Sequence, residues 1–359
     1  MRKPYLVIYF VLALILLAAP VLISCASTPA PSPTTTTATT AAPVKVIELK
    51  YASSNSNTHP QSIADIAWME KINKDTNGRV KVTPYWGGAL MKSADSLIEL
   101  AKGVADIAEF SGAYVKEGYD IEKSMRILFF GSPSPEISRK VYDEVRAKYP
   151  QIDQEFKSIK PMAYHSVSPY QVFTLKKPIK STADFKGMIF KVTGDFGKLA
   201  SAFGGQGVTV PMADTYVALQ KGTVDGAFAP LETLKSFNFG EVVKYITELG
   251  MSVGPTPHRG FNLNSFNNLP PDIQKIVNDS VLFWGEKIDE ELFKADAVGL
   301  DFAKKNGAEY IKMSPEEIAK FYVEVDKLAV SLMVDLDKKG LPGTAMYKDI
   351  RAGIAKYSK

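Results

Sequence analysis

Lys191 is the residue in this chain best placed to hold an anion. It lies near the end of a short apolar strand, Met188 to Val192, that follows a Lys186-Gly187 turn. An ammonium there offers a carboxylate a point charge, without the planar two-bond fork of a guanidinium. A solvated strand-end charge is the plain alternative. The histidines make no catalytic case: His59, His165 and His258 are far apart in sequence, and none pairs at helical i, i+4 spacing. His59 is expected on an exposed loop, with the cleft mouth as the other possibility. No Gly-x-Ser-x-Gly elbow supports a serine nucleophile, and no Gly-x-x-x-x-Gly-Lys-Ser/Thr loop is present to cradle phosphates. Gly87-Gly88 and Gly204-Gly205 match no phosphate fingerprint and read as turns. With the single cysteine Cys25, the chain forms no internal disulfide and no cysteine-ligated zinc or iron–sulfur centre. No metal or cofactor is expected.

The elements around Lys191 are legible. From Asp184 to Pro230 the chain reads turn, strand, helix, strand, helix, turn, strand, and the amphipathic helix Asp214 to Lys221 stops at Gly222. Such alternation builds a parallel sheet, which takes its ligands at the carboxyl ends of the strands. Upstream, Val46 to Tyr51 alternates as a strand and ends in a Ser-Asn-Ser-Asn loop. A helix follows from about Pro60 to near Asn77-Gly78, then a strand over Arg79 to Pro84, a helix over Ser93 to Lys102 and a buried strand over Val104 to Phe110. Right-handed crossovers make these strands parallel. Pro135 to Tyr149 and Gln151 to Lys157 read as helices. Pro161 to Tyr164 and Tyr170 to Leu175 read as two strands that carry the chain into a second domain. His258 to Asn264 reads as a returning strand, Pro271 to Lys294 as one long helix against both domains, and Ala295 to Lys359 as mainly helical, with a helix start at Ser314-Pro-Glu-Glu. The fold class expected is α/β, a two-domain clamshell of mostly parallel sheets flanked by helices. Domain I comprises 45–168 with 256–297, and domain II 169–255 with 298–359. A chain that crosses between domains at least twice is what a hinge requires.

The chain has 359 residues, 45% of them hydrophobic, enough for a large core. Its net charge of +4 includes Arg2 and Lys3, which lie in a segment expected to be removed, and the remainder gives no reason to expect nucleic acid. Residues 1–24 read as a secretory signal, two cations followed by an apolar run from Tyr5 to Ile23. That run ends Leu22-Ile-Ser-Cys25, which resembles a bacterial lipobox with Cys25 acylated after cleavage. A lone transmembrane helix is the alternative. Residues 25–44 are Thr-, Ala-, Pro- and Ser-rich and cannot form a core, so they read as a tether between lipid and domain.

Asp184-Phe-Lys-Gly-Met-Ile-Phe-Lys-Val192, followed by Asp214-Thr-Tyr-Val-Ala-Leu-Gln-Lys-Gly-Thr-Val-Asp-Gly-Ala-Phe-Ala-Pro-Leu231, resembles the DctP-type solute-binding protein of tripartite ATP-independent periplasmic (TRAP) transporters. Asp75 to Val82, Leu97 to Ala108 and Glu241 to Tyr245 extend the resemblance over nearly all of the chain beyond the tether. It implies an extracytoplasmic receptor that closes on a small organic acid and delivers it to a membrane permease, driven by an ion gradient. The binding protein of an ATP-dependent importer, or a ligand-sensing lipoprotein, would share the clamshell and the anchor. An enzyme on the same scaffold is disfavoured, because no nucleophile–base or metal constellation is legible.

The resemblance also implies a set of pocket residues. Lys191 stands where relatives usually have an arginine for the ligand's carboxylate, and Ala229 where many have an asparagine. Ser54, Asn55, Phe110, Ser111 and Tyr114, in the loops after the first and third strands, are expected to face the cleft, with ordinary loop hydrogen bonding as the alternative. Met212 stands where an aromatic often covers the ligand, and Tyr170 and Gln171 where some relatives carry a second arginine. Phe228 adds ring surface or belongs to the core. Without the usual arginine and asparagine, three solutes are left: an aromatic or branched monocarboxylate, a larger keto acid, or an uncharged solute held by hydrogen bonds, and a monocarboxylate with an apolar body is favoured over a dicarboxylate.

Overall fold

A computed structural model of the chain describes residues 45–359. The signal segment, the tether and Cys25 lie outside the described residues. The chain begins with β1 (Ile47–Ala52), α1 (Pro60–Asp75), β2 (Val80–Tyr85), α2 (Ser96–Ala101) and β3 (Ile107–Glu109), whose strands pair in parallel. Next come α3 (Asp120–Leu128), α4 (Pro135–Lys148), α5 (Gln151–Gln154) and the long strand β4 (Ile159–Thr174). A second alternating run holds β5 (Ile189–Val192), α6 (Phe196–Ala202), β6 (Gln206–Thr209), α7 (Met212–Gln220), β7 (Gly226–Pro230) and α8 (Thr233–Ser236). It leads into β8 (Tyr245–Asn262), which returns antiparallel along β4. The chain closes with α9 (Leu263–Asn267), α10 (Pro271–Asp279), α11 (Val281–Lys305), β9 (Glu309–Lys312), α12 (Pro315–Lys338) and α13 (Gly343–Tyr357).

The strands run in the order β2-β1-β3-β8-β4-β7-β5-β6, with β9 beside β8. This sheet has two halves. β3 pairs with the far end of β8, Arg259 to Phe261, whereas β7 pairs with the far end of β4, Tyr170 to Thr174. β4 and β8 thus belong to both halves, where the sequence predicts two short strands in place of β4 and only the returning strand from His258 in place of β8. Ser166, Ser168 and Pro169 look like a break in the sequence. The ladder carries them through by register shifts between His165 and Tyr170, where a bulge absorbs the mismatch.

The helix predicted over Pro271 to Lys294 also differs, since it divides at Ser280 into α10 and α11. The Ser280 hydroxyl donates to the Val277 carbonyl (2.7 Å) and accepts from Trp68 Nε1 (2.8 Å), so the side chain competes with the backbone ladder at that turn. α11 then runs on to Lys305 and is pinned to both halves. Trp284, Ile288 and Leu292 pack with Trp68 and Ile72 over β1, while Ala303 packs with Phe173 and Phe239 in the other half. At Gly285 and Gly299 a Cβ would run into the carbonyl oxygens of Tyr164 and Leu231, so glycine lets the helix backbone lie directly on its neighbours. α3 and α4 precede β4 in sequence yet share a core with β5, α6, α12 and α13, through Met125, Val141, Phe190, Phe196, Phe321 and Ile350.

One buried polar knot ties α1 to β8 and α11. Asp65 is fully buried and accepts hydrogen bonds from Tyr51 Oη (2.6 Å), Trp284 Nε1 (2.8 Å) and Arg259 Nε and Nη2 (3.0 Å each). Arg259 Nη2 also donates to Gln61 Oε1 (3.0 Å). Among the described residues, no helix is long and apolar enough to cross a membrane, and no group of three or more His, Cys, Asp or Glu could hold a metal ion.

Candidate functional site

A cavity of about 90 Å³ opens where the carboxyl ends of β1, β3, β5 and β7 converge, lined among others by Asn55, Glu109, Thr193 and Pro230. Parallel strands leave their last carbonyls and following loops free there, which is why this edge holds the polar side chains. Lys191, next to last on β5, is fully buried behind the wall and is not itself a lining residue. Its Nζ donates to Thr193 Oγ1 (3.1 Å) and touches Met212 Sδ (3.4 Å), and both of those residues line the cavity. No carboxylate among the described residues pairs with it. Burial, and then the nearby Arg126 guanidinium, pull its pKa down to about 7.

Arg126, on α3, is the second cation at the cavity. Its Nη2 donates to Ser111 Oγ (3.2 Å) and to His258 Nε2 (2.7 Å). His258 Nδ1 faces the Thr256 carbonyl (2.9 Å) and so carries the ring proton, which leaves Nε2 free to accept. Burial, then His165 and Arg126, hold the His258 pKa well below the usual range. The Arg126 Nε lies 3.8 Å from Glu122 Oε1, and burial pushes the Glu122 pKa up to about 7 in spite of that neighbour. Tyr114, Tyr170 and Thr193 line the cavity beside these two cations.

A separate polar group lies at the start of α1. His59 caps that helix, its Nδ1 accepting from the Gln61 amide (3.2 Å). It is only 3% exposed, not the loop residue that the sequence predicts, and its ring sits 5.1 Å from that of Phe237. Burial, then Arg259, pull its pKa down to about 3. Glu232, beside it, accepts from the Ser236 hydroxyl, and burial pushes its pKa up to about 8.

The family model for bacterial extracellular solute-binding protein, family 7 (DctP) matches residues 51–333. The chain belongs to this family. Its members are solute-binding proteins, and solved structures similar to this DctP protein include TRAP solute-binding proteins. One from Desulfovibrio salexigens is 29% identical, with a TM-score of 0.72 and 87% of this chain and 96% of that one covered. Another, from Rhodoferax ferrireducens in complex with copurified benzoate, is 23% identical with a TM-score of 0.79, covering 87% and 99%. The 2,3-diketo-L-gulonate-binding periplasmic protein YiaO of Escherichia coli is 22% identical over 298 residues, 81% of this chain and 82% of the relative.

Of the residues singled out in the sequence of this DctP protein, Asn55, Ser111, Tyr114, Tyr170 and Met212 line the cavity. Ser54 and Phe110 line an adjoining pocket, where the Ser54 hydroxyl is held by Glu109 Oε2 (3.1 Å). Two lie elsewhere. Gln171 binds the Leu249 and Gly250 amides through Oε1 (2.6 and 3.0 Å), and its Nε2 donates to the Pro169 carbonyl. Phe228 packs among Phe185, Phe190 and Phe196, and Ala229 is likewise core. His165 and His258, far apart in sequence, bring their rings to 4.5 Å, tilted at 39°, because β4 and β8 pair. Arg126, Glu109, Thr193, Glu232 and His258 line the cavity without having been expected there, and so does His59, for which the cleft mouth was the lesser alternative. For Arg126 a signal did exist, a lone charge inside Met125-Arg-Ile-Leu-Phe-Phe130.

Proposed function

We propose that this protein captures a small organic acid, a monocarboxylate with an apolar body, between the two halves of its sheet and hands it to the TRAP permease. The single observation that supports this reading most is Lys191, a fully buried ammonium with only a hydroxyl and a thioether for company. A charge taken out of water without a counter-charge is costly, and a ligand carboxylate supplies one. Arg126, bound so far only to neutral groups by hydrogen bonds, adds a second donor. Tyr114, Tyr170, Val167 and Met212 give an apolar wall. Benzoate and 2,3-diketo-L-gulonate, the solutes named for two relatives, are both organic acids. Two lobes built on the two halves, bending at the register shifts of β4 and β8, would close around the solute.

The test is proton uptake. A carboxylate beside Lys191 raises its pKa from about 7, so binding above pH 7 takes up a proton and binding below about pH 6 does not. Glu122 and Glu232, both already raised, shift the same way when an anion arrives. Calorimetry with benzoate at pH 8, in buffers of different ionisation enthalpy, is expected to show buffer-dependent heats and an affinity that falls as pH rises from 7 to 9. Heats that are the same in every buffer would sink the reading.

The proposal extends to the N-terminus, with residues 1–24 as an export signal and Cys25 acylated on the outer face of a membrane. Metabolic labelling with palmitate is expected to mark the wild-type chain and not Cys25→Ser. Equal labelling of the two would remove the anchor.

A further inference from the structure

We propose that the captured acid carries a hydroxyl group, held between His59 and Glu232. This rests on the reading that Lys191 takes the carboxylate. The His59 Nδ1 accepts from the Gln61 amide, so the neutral ring carries its proton on Nε2. That Nε2 is buried and has no hydrogen-bond partner among the described residues. Glu232 Oε2 is 3.7 Å away, beyond hydrogen-bond reach, and is already engaged by Ser236. Both side chains line the cavity and both are 97% buried, being only 3% exposed.

A donor and an acceptor therefore stand side by side, facing the same space. A hydroxyl answers both, accepting from His59 and donating to Glu232. An ammonium would leave His59 unanswered, and a solute with no polar group here would leave both residues so. Placing an acid here is compatible with an anionic solute, because burial raises the Glu232 pKa to about 8 and leaves the group largely uncharged at neutral pH. Phe237 against the imidazole holds the ring in place, and the cap on α1 fixes its rotation. A site that already holds such a pair rejects the analogue lacking the hydroxyl, because the pair is then left unpaired.

Titration calorimetry on the full chain with matched acids tests this. The parents are benzoate and phenylacetate, and the partners are 3- and 4-hydroxybenzoate, mandelate and 3-hydroxyphenylacetate. At least one hydroxylated acid is expected to bind roughly tenfold or more tightly than its parent, the scale of one or two hydrogen bonds. His59→Asn keeps a good helix cap, and Glu232→Gln keeps an oxygen for Ser236. Each is expected to shrink the hydroxylated-to-parent ratio to within about twofold, the measure of a lost donor or acceptor. Parents binding as tightly as every hydroxylated partner would overturn the proposal, as would a ratio that survives both replacements. If no acid of either kind binds, the carboxylate reading falls first and this inference with it. Binding of parents and partners alike, weakened by Lys191→Met, would leave that reading standing and remove only the hydroxyl.

Discussion

Lys191→Met is expected to raise the melting temperature of the ligand-free protein while weakening its affinity for benzoate by about 1.5–3 kcal/mol, the scale of a hydrogen bond to a charged group. Both effects have one origin. The ammonium is fully buried beside Arg126, and its pKa falls from 10.5 to about 7 because folding disfavours the charged form. Between those values the unfolded chain holds the proton more tightly, so wild-type stability rises with pH across that window. Below pH 7 both states are protonated and the destabilisation is at its full extent. Methionine fills much the same volume without the charge, so its advantage is largest near pH 6 and shrinks towards pH 10. Thermal melts at pH 6 and pH 9, set beside calorimetry, read both effects. A variant no more stable than the wild type at pH 6, or one that binds benzoate equally well, would show that the ammonium is not held for the solute.

Asp65→Ala is expected to cost about 3–5 kcal/mol, the range for breaking a buried ion pair from one side. Folded domains of this kind have roughly 5–15 kcal/mol to lose, so the variant should sit near the edge of folding. The loss is large because four hydrogen bonds end on one carboxylate and Arg259 would remain buried without its counter-charge. The damage reaches the site, since Arg259 also fixes Gln61, a cavity residue. Urea denaturation gives the number, and a loss under about 1 kcal/mol would mean that the knot is replaceable. Asp65→Asn, which retains an acceptor, should fall in between.

The sequence made the short strands of the site region legible because glycines punctuate them, as at Gly187 and Gly222, and because the apolar runs are bounded by charges. Lys191 was visible as a charge at a strand end, but its burial was not, since that depends on Met212 and α3 arriving from elsewhere. His59 shows the same limit: Phe237 and Glu232, on and beside α8, bury it from far along the chain. Adjacent strand residues point to opposite faces. With Tyr170 at the cavity, Gln171 turns towards Leu249 and Gly250. The length of β4 and β8 was hidden because a bulge rich in serine and proline reads locally as a loop.

Those two strands have a consequence for the molecule as a whole. Neither half of the sheet owns a complete set of strands, so no scissors cut through the chain would release one half with its ladder intact. Heat should therefore melt both together as a single cooperative unit, and a homologue's half could not be grafted on without refitting the shared backbone as well.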